Sequence, residues 1–122
     1  MFVRMTWTQA KEQFDAREDF IMTSGNNSNP ITSWNRYYAR DYWSNGITSF
    51  LIVLESLAQY ANMNINCWKE ISCGKETGTL YYLRVYDMKG RGAAAYIEAE
   101  NEEEARKMAK KVGYEAIVIK EK

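Results

Sequence analysis

The chain has 122 residues, of which 46% are hydrophobic, and this is enough to bury a core within one domain without a metal or disulfide staple. Its 16 basic residues balance 16 acidic ones, so it lacks the broad positive field that draws proteins onto duplex nucleic acid or anionic membrane. It contains no histidine, which removes catalytic triads and zinc sites built on imidazole.

Met1 to Ala10 carries Arg4 but no apolar run of signal-peptide length. The most apolar stretch, Phe50 to Leu54, is far short of the ~20 residues that span a bilayer. Cys67 and Cys73 are six positions apart. That is ~20 Å in an extended segment or ~9 Å in a helix, against the ~4.4–6.8 Å of a disulfide. Two reduced thiols in a cytoplasmic protein is the reading that follows.

In chain order, Thr6 to Arg17 suggests a first helix, capped by Thr6 or Thr8, with Trp7, Ala10, Phe14 and Arg17 at helical spacing. Phe20-Ile21-Met22 is a short apolar run. Ser24 to Pro30 consists of turn formers and marks a loop. Ser33 is placed to cap a second helix running through Trp43 and stopped by Ser44-Asn45-Gly46. From Ile47 to Ala61, apolar residues recur at i, i+3, i+4 and i+7, which predicts a third helix. Ile52 and Val53 widen its apolar surface, so this helix is expected at the centre of the core, buried on more than one side.

Ile65 to Cys73 alternates as a strand does. Leu80 to Asp87 and Ala93 to Glu100 predict a hairpin turned by Met88 to Gly92. Asn101 then caps a helix, with Glu104 three residues on. Glu102 to Glu104 suit the positive first turn of that helix, and Lys110 and Lys111 its negative last turn. Glu102–Arg106 and Glu103–Lys107 are spaced as i, i+4 ion pairs. Gly113 stands where a C′ glycine ends a helix, and Ala116 to Ile119 predicts a final strand. The fold class expected is α+β: one domain over 1–122, with a helical N-terminal half (1–62) packed on a small, mainly antiparallel sheet with one helix (63–122), and a C-terminal β-β-α-β unit.

No catalytic motif, cofactor fingerprint or metal-ligand spacing emerges. Gly90 and Gly92 lack the strand and helix context of a phosphate loop. Cys67 would need a nearby cation or helix N-terminus to become a thiolate. Carboxylate pairs such as Asp15 with Glu18 read as solvated charge. The reading is therefore a non-enzyme without cofactor or metal.

The run Trp34-Asn35-Arg36-Tyr37-Tyr38-Ala39-Arg40-Asp41-Tyr42-Trp43 stands out, because half of it is aromatic and it contains neither Lys nor Glu. Arg36 and Arg40 share one helical face, and one helix cannot bury so many rings against one neighbour. Three readings are open for it: bulky core, protein interface, or a stacking surface for unpaired bases with Arg on phosphates. Trp34, Arg36, Tyr37, Arg40, Tyr42 and Trp43 are the candidate partner-binding residues.

From Leu80 to Lys120 the order β, β, α, β, with Tyr96-Ile97-Glu98-Ala99-Glu100-Asn101-Glu102-Glu103-Glu104-Ala105, resembles that of many very small proteins of phages and mobile elements. It is similar in this respect to some anti-CRISPR inhibitors. The resemblance implies a cytoplasmic, non-enzymatic protein that blocks a host defence complex, such as a CRISPR-Cas assembly, by occupying a surface. It carries no site residue. The function expected is stoichiometric binding of a protein partner, with a nucleic-acid or nucleotide-binding module over 34–43 as the alternative; no membrane partner is expected, and monomer and homodimer are both open.

Overall fold

The computed structural model describes residues 1–24, 30–31, 36–59, 65–71 and 78–121. Among the described residues the seven strands are β1 (Phe2–Met5), β2 (Ile21–Ser24), β3 (Arg36–Tyr38), β4 (Ile65–Glu70), β5 (Thr79–Tyr86), β6 (Gly92–Ala99) and β7 (Glu115–Glu121). The four helices among the described residues are α1 (Trp7–Asp15), α2 (Ala39–Trp43), α3 (Phe50–Ala58) and α4 (Glu102–Lys111). The strands are hydrogen-bonded in the order β3-β2-β4-β1-β6-β5-β7.

This order overturns the expected α+β arrangement with a helical N-terminal half. The chain opens on a strand, and the segment read as mainly helical supplies β1, β2 and β3 to a sheet of seven strands. The cause is the brevity of these strands. Three or four residues show too little alternation to announce a strand, and each is held by its neighbours rather than by its own preference.

By contact density the chain divides into two compact units, Arg4–Lys69 and Met1–Val3 with Glu70–Lys122. In the Arg4–Lys69 unit, Thr6 closes a capping box with Gln9 at the start of α1, each side chain bonded to the other residue's backbone N–H at 3.1 and 2.9 Å. Ala10 and Phe14 of α1 meet Phe50, Val53 and Leu57 of α3 over Met22 and Cys67 of the strands. Phe14 is the hub, with its ring 5.8 Å from that of Trp43 and 5.9 Å from that of Phe50.

β2 pairs antiparallel with β3 and with β4, placing Met22 opposite Cys67 and Ile21 opposite Trp68. Ile21, Thr23 and Trp68 are buried on the other side of these strands. There the indole Nε1 of Trp68 donates to Thr23 Oγ1 at 3.0 Å, so the buried Thr23 hydroxyl has its partner. α3 departs from expectation. It is buried on one side only, and Leu51 and Ile52 stand 64% and 52% exposed.

In the other unit the expected elements appear in the expected order. β5 and β6 form an eight-residue antiparallel ladder from Thr79↔Ala99 to Tyr86↔Gly92. Its core face carries Leu83, Val85, Ala95 and Ile97, covered by Ala105 and Ala109 of α4. Alanine on both sides lets helix and strands approach closely. Asn101 Oδ1 accepts the Glu104 N–H at 2.8 Å, and Gly113 takes φ +90 just past the helix, as the capping signals predict. Gly78 faces the Ala99 carbonyl so closely that a Cβ would lie 2.8 Å from its oxygen.

Candidate partner-binding site

The aromatic run does not form one helix. Arg36–Tyr38 is the edge strand β3, and only Ala39–Trp43 is helical. Trp34 lies outside the described residues, as do Ser33 and Asn35. The four-residue spacing of Arg36 and Arg40 suggested a helical face. The backbone of Arg36 to Tyr38 pairs instead with Thr23 to Ile21, where bulky Tyr side chains suit a pleated surface.

The switch from strand to helix is held by Asp19. The Tyr38 side chain makes no cap bond to α2. Asp19 Oδ1 accepts the Arg40 N–H at 3.0 Å, and Ala39 N–H donates to the Phe20 carbonyl, also at 3.0 Å. A carboxylate brought from elsewhere in the chain thus satisfies an orphan donor of the first turn.

These turns divide the candidate residues among three environments. Trp43 is half-buried with its ring edge-on to Phe14, and it packs against the core cluster, as Tyr37 and Tyr42 also do. Arg40 points out, its guanidinium 3.3 Å from Asp19 Oδ2 and 4.6 Å from the centre of the Tyr38 ring. At this exposure the ion pair adds at most about 1 kcal/mol. Arg36, Tyr37 and Tyr42 come together with Tyr38, Asp41, Asn45 and Ile47 around a surface pocket of about 340 Å³. The Arg36 guanidinium is tethered to the backbone carbonyls of Pro30 and Ile31. The Asn45 amide donates to the Asp41 carbonyl, which fixes the turn after α2.

Of the residues that line this pocket, sequence reasoning named Arg36, Tyr37 and Tyr42. It missed Asn45 and Ile47, which look like helix-stop and helix-start residues and join the site through the turn between them. Tyr38 and Asp41 lay within the run without being singled out.

Cys67 lies fully buried on β4, and burial pushes its thiol up to about 12, with Arg4 opposing the shift only in part. Such a thiol is protonated and inert at neutral pH. Cys73 lies outside the described residues. Among the described residues no group of three His, Cys, Asp or Glu side chains could hold a metal ion, and no helix is long and apolar enough to cross a membrane. The chain matches no protein-family model, no curated protein and no solved structure.

Proposed function

We propose that this chain is a non-enzymatic binding protein that acts stoichiometrically on a protein partner in the cytoplasm, and that the pocket of Arg36, Tyr37, Tyr38, Asp41 and Tyr42 is the contact surface. The observation that carries the reading is the convergence of three Tyr rings and one tethered Arg on a single concave patch. Tyr and Arg dominate interface energetics because they offer large contact area and several donors at low entropic cost. An Arg already held by backbone carbonyls loses less freedom on binding than a free one.

The same geometry weighs against the nucleic-acid alternative. Arg36 is held by carbonyls, Arg40 faces Asp19, and Asp41 presents a carboxylate at the pocket wall. A phosphate backbone would meet cations already engaged and a like charge beside them.

The resemblance of the tail to anti-defence inhibitors supplies the first partner to try, a CRISPR-Cas effector complex. Tagged full-length protein is mixed with the purified complex, and a 1:1 assembly is measured by size exclusion and calorimetry. Tyr38→Ala and Asp41→Arg are expected to weaken binding by about tenfold or more, as hot-spot truncations do, while Arg84→Ala does not. If both pocket variants bind like the parent, this surface is not the contact. If single-stranded oligonucleotides bind instead, with affinity falling steeply in salt, the nucleic-acid reading replaces the protein one. As a check on the thiol, iodoacetamide at about pH 8 should modify Cys67 only as fast as the chain unfolds.

A further inference from the structure

A second, larger pocket of about 600 Å³ lies wholly within the C-terminal unit, where the end of β5, the C-terminal half of α4 and the start of β7 meet. Tyr86, Met88, Tyr114 and Ala116 give it apolar walls, and Arg106 and Lys110 enter from one face of α4. Arg106 does not form the i, i+4 pair with Glu102 that its spacing suggests. Its Nη1 donates instead to the Ala116 carbonyl at 2.9 Å, and this holds the guanidinium at the pocket. Lys107, pointing elsewhere on the same helix, does keep its partner, with Nζ 3.9 Å from Glu103. Neither Arg106 nor Lys110 has a carboxylate within salt-bridge distance among the described residues.

Two carboxylates also border the pocket, and they narrow the choice of ligand. Asp87 is engaged, accepting from Lys89 N–H and Arg91 N–H at 2.9 Å each and from Arg91 Nε at 2.8 Å. Glu115 is exposed at the rim. The C-terminal end of α4 adds the negative pole of the helix dipole. A dianionic phosphate would meet all three with twice the charge of a single carboxylate, and a carboxylate on an apolar stem also uses the apolar walls. Glu115 and Ala116 also begin β7, the last strand in the sheet order, whose outer edge has no strand beside it among the described residues. A free edge next to a side-chain pocket is how extended peptides are recognised: main-chain bonds to the edge, and one side chain in the pocket.

We propose that this pocket binds an acidic peptide segment, with an Asp or Glu side chain held between Arg106 and Lys110 and its apolar neighbours on Met88 and Tyr114. Tyr114, half-buried and pushed up in pKa by that burial and by Asp87, keeps its hydroxyl proton and can donate to the same carboxylate. Met88, 94% exposed at the pocket mouth, is the flexible surface that adapts to varied apolar partners. The site is independent of the Tyr37–Tyr42 pocket, and its residues are absent from the test of that one.

The test is a fluorescence-anisotropy titration of the full chain with a labelled peptide of alternating Glu and Leu, beside a Lys and Leu peptide and a single-stranded oligonucleotide of equal charge. The acidic peptide should bind saturably at one site and the basic one should not bind. Arg106→Gln with Lys110→Gln should weaken binding about tenfold or more, and Met88→Glu, which touches no core residue, should weaken it as well. Lys107→Gln with Lys111→Gln removes the same charge away from the pocket and should change affinity less than about twofold. Equal losses in the two double variants, equal affinity for the oligonucleotide, or no saturable peptide binding would each overturn the proposal.

Discussion

The two units reach a packed interior by opposite means. In Arg4–Lys69 the core is made of large rings that meet at angles, Phe14 against Trp43 and Phe50, and Phe20 against Phe50 at 5.8 Å. In the C-terminal unit it is made of alanines, with Ala95, Ala99, Ala105 and Ala109 all fully buried beside Leu83, Val85 and Ile97. Large residues hold a core through area and edge-to-face contact and tolerate irregular backbone around them. Small residues hold one only if helix and sheet are regular enough to touch along their length. The irregular unit carries short strands and a five-residue helix, and the regular one carries an eight-residue hairpin and a ten-residue helix.

This contrast is open to direct attack. Phe14→Ala should be the most damaging change, because it empties the hub of the aromatic cluster; a loss of ~3–5 kcal/mol is expected from urea denaturation. Ala109→Leu should damage the other core for the opposite reason. The added side chain has no space between α4 and the hairpin, and overpacking of this kind costs ~1–3 kcal/mol. If instead Ala109→Leu proved neutral, the alanine interface would be loose and the contrast would fall.

Smaller effects probe how each unit is trimmed. Asn101→Ala removes the bond to Glu104 N–H and should cost ~1 kcal/mol, visible as early fraying of α4 in hydrogen exchange. The β5–β6 turn should respond to acid through Asp87. Hydrogen bonds from the Arg91 backbone, the Arg91 side chain and the Lys89 backbone hold its carboxyl below the ordinary 3.8. Because the folded value is the lower one, the stabilisation is present above pH 3.8 and is lost as pH falls through that lower value. Asp87→Asn should therefore flatten the acid limb of turn protection in NMR exchange by lowering the neutral plateau toward the acid one.

Legibility followed the same division. The start, buried stripe and end of α4 could be read because Asn101, the Glu triplet, the Ala stripe, the terminal Lys pair and Gly113 all lie within or next to one helix and agree. α1 was legible for the same reason, with Thr6 and Gln9 closing its box locally. β1 was not legible. Its two buried residues, Val3 and Met5, belong to different clusters, so no four-residue pattern could declare them. The aromatic run was visible as unusual but not as a shape, since its turn from strand to helix depends on Asp19 and Phe20, which lie well before it. The C-terminal pocket was hidden because Arg106 and Lys110 fit a simpler story on the helix itself, ion pair and dipole.

The amino-acid sequence by itself determined what neighbours in the chain can settle: the caps, the helix stop at Gly113, the hairpin ladder, and the absence of imidazole chemistry. Only the tertiary structure decided which rings are core and which form a surface. Trp43 and Tyr42 are adjacent and both half-buried against one core cluster, yet Trp43 meets Phe14 edge-on and Tyr42 lines a pocket. That difference arises because a one-residue step around a helix turns a side chain by ~100°. Which direction counts as inward is set by strands and helices distant in sequence.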